Sequence, residues 1–206
     1  MTNSAALVVG FFTLLVLLVP LGLSPWVPFG LCVVGTALSG GDALFNQGRF
    51  ARLILDLAQE WLDPSYKKRL AYHESGHLLV GHCFGLKASS YAIGAQASRR
   101  LGFAVSSLVE FDQPERFSPR AYGTTLMAGG VAEVLFFEEA RGGADDLVKI
   151  RALLALNPQR EQLEREYCRE ATRLLKAHHT LHDQLARLML TNAPLTTCQT
   201  LLAVLK

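Results

Sequence analysis

The alternation of apolar and polar positions changes character twice along the chain. Residues 5–23 carry no charge and are mostly Leu, Val and Phe, which is about the length one membrane-spanning helix needs. A second apolar run covers 26–38 and, extended to residue 44, is just long enough for another span. Pro20, Gly22, Pro25 and Pro28 favour a break between the two. Two arrangements fit: one span followed by a re-entrant segment, or a tight hairpin of two short spans. A cleaved leader fits less well, because no Lys or Arg precedes the first run and the apolar character continues past any cleavage site. Residues 1–45 are therefore expected to form a membrane anchor, with spans at 5–23 and 26–44, and residues 46–206 a separate domain.

In that second part the pattern becomes helical. Residues 50–62 read as a short amphipathic helix, with Leu53, Leu57 and Trp61 on one stripe. It lies along a membrane surface or packs on the domain. Asp63-Pro64 supplies a cap and a first helical residue for a helix ending near Gly85. Short strands are expected at 90–93 and 101–108, with a turn over 94–100. Ser118-Pro119 opens another helix to about Phe137. Its Gly129-Gly130 pair costs about 1 kcal/mol per residue relative to Ala, a cost that close approach of another element would explain. A glycine turn at 141–143 leads into a further helix. Asn157-Pro158 starts a long charged one reaching about His179, and two shorter helices follow, opened by Thr180 and Thr196. The expected fold class is mainly α with a small β-hairpin.

Charge and cysteine content narrow the function classes. The formal net charge is +2, with no long basic run, so no nucleic-acid footprint is visible. No G-x-x-x-x-G-K-[ST] occurs, so no nucleotide-binding loop is expected. Arg49, Arg52, Lys67, Lys68 and Arg69 follow the apolar segment and place the second part on the cytoplasmic side or its organellar equivalent. Cys32, Cys83, Cys168 and Cys198 share no metal or redox spacing. They read as free thiols of a reducing compartment, with Cys83 and Cys168 in the core.

The chemistry is concentrated in residues 73–77, which read H-E-x-x-H within the helical pattern of residues 64–84. His73 and His77 fall one turn apart on one helix face, where two neutral imidazoles can bind one zinc ion. Glu74, about 100° round the helix, can take a proton from a water in zinc's open position. A zinc site of this kind needs one more protein ligand, and Glu133, Asp145 and Asp146 are the candidates. Glu133 is alternatively a group that orients a histidine. His82 does not have the spacing of a third histidine ligand, which lies six residues past the second. His178, His179 and His182 read as solvated residues near a helix end.

Several stretches in order resemble the peptidase domain of FtsH, the membrane-bound, ATP-dependent zinc protease family (peptidase family M41). Residues 70–77, L-A-Y-H-E-S-G-H, look like its A-Y-H-E-A-G-H signature. Residues 100–103, R-L-G-F, resemble its substrate-flanking segment R-x-L-G-Y. Residues 127–137, M-A-G-G-V-A-E-V-L-F-F, resemble M-A-G-R-A-A-E-E-L-V-F, and 143–147, G-A-D-D-L, resemble G-A-x-N-D-L with one residue fewer. Residues 185–202 resemble the C-terminal helix. The resemblance covers residues 70–206 and implies a mainly helical peptidase domain. Zinc would be held by His73, His77 and Asp146, with Glu74 as catalytic base and Glu133 beside the ligands. The family's ATPase domain has no counterpart here, and the segment after Asp146 is shorter. The pattern looks like the small FtsH-like proteins of cyanobacteria and plastids, in a plasma or thylakoid membrane with the peptidase on the cytoplasmic or stromal side. The expected activity is a membrane-anchored zinc metalloendopeptidase cleaving unfolded or membrane-proximal polypeptides. Partners would be the polypeptide substrate, the membrane, and FtsH-type proteases or a second copy. The alternative is a non-catalytic FtsH-like partner that regulates a protease complex or membrane-protein assembly.

Overall fold

A helix packed by neighbours on most sides lies in the centre of a fold, and the polar groups it carries there need partners. The computed structural model, which describes residues 13, 17, 24, 26–45, 57–103 and 105–205, places such a helix at its core. The chain divides into two units, Met1–Ala58 and Gln59–Lys206.

In the first unit the described element is helix α1, Trp26–Phe45. Pro28 is its third residue, where no intrahelical N–H is needed, so the helix runs through it. Its bounds match the span expected at 26–44. However, no helix among the described residues is long and apolar enough to cross a membrane. Thr36, Ser39, Gly40, Gly41 and Asp42 dilute the apolar character of its second half. The span expected at 5–23 lies outside the described residues, apart from Thr13 and Leu17. So does the first half of the amphipathic helix expected at 50–62; residues 57–62 are helical, with Trp61 84% exposed.

The second unit is built on α2, Pro64–Cys83. The Asp63 carboxylate accepts from the Ser65 N–H at 2.8 Å, and Pro64 takes the first helical position. The helix closes at Gly85, whose positive φ lets the Leu86 N–H reach the Gly81 carbonyl. Every residue from 71 to 81 is buried. Helix α2 packs on four sides: against the hairpin, against α4 (Pro119–Phe137), and against α6 (Arg160–Ala177) and α7 (His179–Leu190). Leu78, Leu79, Val80, Ala128, Ala132, Leu175, Leu185 and Met189 form the shared core. A smaller cluster of Leu126, Ile150, Leu154 and Tyr167 fixes helix α5, Ala144–Leu153, to α4 and α6. Helix α8, Leu195–Leu202, contributes Cys198 and Leu202 to the main core.

The hairpin departs from its expected outline. Strands β1 (Ala88–Ile93) and β2 (Ser107–Phe111) pair antiparallel, with Tyr91 opposite Val109 and Ile93 opposite Ser107. The segment expected to be a turn, 94–100, is mostly the short helix α3, Ala95–Arg100. Ala, Gln and Arg favour a helix, and Glu60 accepts the free N–H of Ala95 at 2.6 Å. The strand expected from 101 begins only at 107, because residues 101–102 form a turn in which Gly102 has φ +86°.

Two further expectations are corrected, and a third holds to within two residues. Cys83 is exposed in the last turn of α2 and Cys168 is half-buried, while Cys198 is the buried thiol. The long charged helix stops at Ala177, and α7 starts two residues later. His182 is not solvated: it is fully buried beneath α2, with Nε2 2.8 Å from Ser75 Oγ and 3.1 Å from the Tyr72 carbonyl oxygen. Its ring meets those of Tyr72 and Phe136 edge-on. One turn of α7 separates exposed His179, stacked on Phe136, from buried His182.

Burial lowers the His182 pKa to about 4. The unfolded chain, with an ordinary imidazole near 6.5, takes up a proton that the folded chain refuses. Stability tied to His182 is therefore present above about pH 6.5 and is lost as pH falls towards 4, by on the order of 3 kcal/mol. Urea unfolding of the wild type and of His182→Gln across this window should show a shallower decline in the variant.

Candidate metal centre

Helix geometry brings the two histidines together, and α4 decides which way their rings face. Thr125, Gly129 and Glu133 are four residues apart on α4 and share one face. That face lies against His73 and His77. A Cβ on Gly129 would sit 2.4 Å from His73 Nε2 and 2.5 Å from His77 Nε2, so no side chain fits there. Gly76, on α2 between the histidines, meets Ala128 in the same way: a Cβ would be 2.7 Å from its carbonyl oxygen. The close approach expected of the glycine pair holds for Gly129. Gly130 has open space beside it.

On either side of Gly129, α4 presents an acceptor to each imidazole. The Thr125 carbonyl oxygen lies 2.7 Å from His77 Nδ1, and Glu133 Oε1 lies 2.7 Å from His73 Nδ1. A carbonyl and an ionised carboxylate can only accept, so both Nδ1 atoms carry the proton. A neutral ring then has its lone pair on Nε2. Both Nε2 atoms face Asp146 Oδ2, at 3.1 Å from His73 and 3.2 Å from His77. Three lone-pair atoms within 4.8 Å of one another thus converge with no proton of their own between them. A cation resolves that repulsion. Zinc bonds of 2.0–2.1 Å in a tetrahedron imply ligand atoms about 3.3 Å apart, close to the separations between Asp146 and the two histidines.

Asp146 arrives from a different part of the chain. Gly143, with φ +87°, caps α5, and Asp146 lies in the first turn. Lys149, one turn on, has its Nζ 3.6 Å from Asp146 Oδ1, which leaves Oδ2 for the histidines. Burial works against the Asp146 carboxylate, but His77 and His73 outweigh it and hold its pKa far below the usual range. Burial likewise opposes a charge on His73, yet Asp146 and Glu133 raise its pKa to about 10. Both shifts show that the group favours a positive charge between the rings and Asp146.

Of the three candidates for the third ligand, the geometry brings Asp146 to the pair. Asp145 is exposed. Glu133 is 2% exposed and sits on the far, Nδ1 side of His73. It is a clamp: Oε2 accepts the Arg141 N–H at 2.9 Å, Oε1 the Gly142 N–H at 3.2 Å, and Arg69 Nη1 stands 3.8 Å away. Burial raises its pKa, but the bonds from His73, Arg141 and Gly142 prevail and the net shift is downward. The same carboxylate therefore fixes the His73 ring and the loop that leads to Asp146. His82 takes no part in the group.

Glu74 is 5% exposed. Its Oε1 accepts a hydrogen bond from Ser107 Oγ at 2.6 Å, from the first residue of β2. Ser107, Thr125 and Lys149 join the site without belonging to any of the motifs that mark the other residues. The i,i+3 spacing from Asp146 was a usable signal for Lys149. Thr125 acts through its backbone carbonyl, so its identity carries no signal.

Two paired substitutions test the centre. Asp146→Ala should abolish stoichiometric metal uptake measured on the purified protein, while Asp145→Ala retains it. Gly129→Ala should displace the imidazoles and lose the metal, whereas Gly130→Ala should keep it and gain up to about 1 kcal/mol in urea unfolding. No family model matches this sequence, and no curated protein matches it.

Proposed function

We propose that the protein is a zinc-dependent metalloendopeptidase with an FtsH-like peptidase fold. The observation that carries this reading is the convergence of His73 Nε2, His77 Nε2 and Asp146 Oδ2 beside the buried carboxylate of Glu74. Two imidazoles and one carboxylate are a donor set suited to zinc with one position left open. Bound there, zinc would polarise a peptide carbonyl and lower the pKa of a water to about 7.

The chain's own groups supply the remaining chemistry. Glu74 accepts a proton from water as the water oxygen bonds to the carbonyl carbon. It then delivers that proton to the amide nitrogen as the C–N bond breaks, giving a carboxyl group and an amine. Glu133 and Thr125 hold the imidazoles in the tautomer that leaves Nε2 free. Asp145 has no role in the step.

Extended polypeptides are the substrate class. Among the described residues each hairpin strand has one neighbour, so an open edge is available for backbone pairing beside the motif. The uncharged run at 5–23 and the cationic residues after it support attachment to a membrane, with this unit on the cytoplasmic or stromal side. Membrane-proximal or unfolded segments would then be the accessible substrates.

Glu74→Gln should leave zinc content unchanged and reduce cleavage of an unfolded protein such as casein by about 10²-fold or more. Stoichiometric zinc in a wild-type protein that cleaves nothing, where an FtsH control is active, would sink the proposal.

A further inference from the structure

The mechanism uses Glu74 but does not explain what aims it. A glutamate has three rotatable side-chain bonds, and a general base must sit within hydrogen-bond reach of the proton it takes. On α2 the Glu74 side chain leaves the helix about 100° from His73. It therefore needs a partner outside the two histidine clamps on α4. That partner comes from β2.

We infer that Ser107 is a positioning residue for Glu74, holding Oε1 by its hydroxyl so that Oε2 is turned to the metal centre as base. This inference rests on the peptidase reading. Three observations carry it. The Ser107 Oγ–Glu74 Oε1 separation of 2.6 Å is that of a short, charge-assisted bond to a carboxylate. Glu74 is buried, where an unpaired carboxylate oxygen is costly. Ser107 is itself fixed: it begins β2 and lies opposite Ile93, which is 1% exposed. The hydroxyl is thus anchored to the sheet by its place in the ladder.

The contact also links two parts of the site. The hairpin whose open edge would receive an extended chain also carries, at the start of its second strand, the residue that aims the base. Ser107 keeps its own proton throughout, since the proton from water goes to Glu74 Oε2 and then to the leaving nitrogen.

The test uses the full-length zinc protein and the variants Ser107→Ala, Ser107→Thr, Glu74→Ala and Ser107→Ala/Glu74→Ala. Ser107→Ala should lower kcat on an unfolded peptide at least tenfold, with KM and zinc content within twofold of wild type. Ser107→Thr, which restores a hydroxyl and suits a strand, should recover most of that loss. Independently of activity, urea unfolding at one fixed zinc concentration should show coupling. Ser107→Ala should shift the unfolding equilibrium about tenfold more with Glu74 present than with Ala at position 74. A kcat within twofold of wild type in Ser107→Ala, a threonine variant as impaired as the alanine one, or additive unfolding effects would each overturn the inference. If the wild-type zinc protein cleaves nothing, the peptidase reading fails, and the unfolding cycle alone decides whether Ser107 holds Glu74.

Discussion

The close crossing of α2 over α4 is the constraint on which the rest of this unit depends. Gly76 lies against the Ala128 carbonyl and Gly129 against the imidazoles, with Ala132 beside them. Bulkier residues at this contact would separate the two backbones. Both histidine Nδ1 atoms would then lose acceptors that now stand at 2.7 Å. Gly76 weakens α2 and Gly129 weakens α4 as isolated helices, and burial of one against the other makes good the loss.

A second consequence follows from where α4 puts its acceptors. Glu133 is a buried carboxylate, which in a plain apolar core would be strongly unfavourable. Here it accepts from His73, Arg141 and Gly142 and lies near Arg69. It joins α2 to the loop that leads to Asp146. Fixing one ring and one loop with a single carboxylate couples the two, so Asp146 is positioned by the same group that orients His73.

The centre gathers groups that repel one another. Two imidazole lone pairs facing a carboxylate oxygen repel one another unless a cation sits among them. On the opposite face of α2 the balance is reversed. Ser75, inside the H-E-x-x-H stretch, meets His182, which burial keeps neutral. One helix therefore carries a histidine pair poised for a cation and, behind it, packs on a histidine held without one.

The local pattern of the sequence determined the helices that position the site. Asp63-Pro64 and Ser118-Pro119 mark their starts through short-range capping, and the i,i+4 spacing of His73 and His77 fixes them on one face whatever surrounds them. Glu133, Asp145 and Asp146 were all chemically able to complete the set. Only the packing of α5 against α4 and α6 decided for Asp146, because a ligand nearly seventy residues away is placed by the core and not by local spacing. The same reason separates the buried His182 from its exposed neighbour His179, and Cys198 from Cys83. Burial depends on which face of a helix meets the rest of the molecule. The hairpin, too, was legible as two strands but not in its outline, since the Glu60 carboxylate that caps α3 comes from the segment before α2, 35 residues away in the chain. Ser107 carried no signal at all: a serine at a strand end is ordinary until the fold brings it to Glu74.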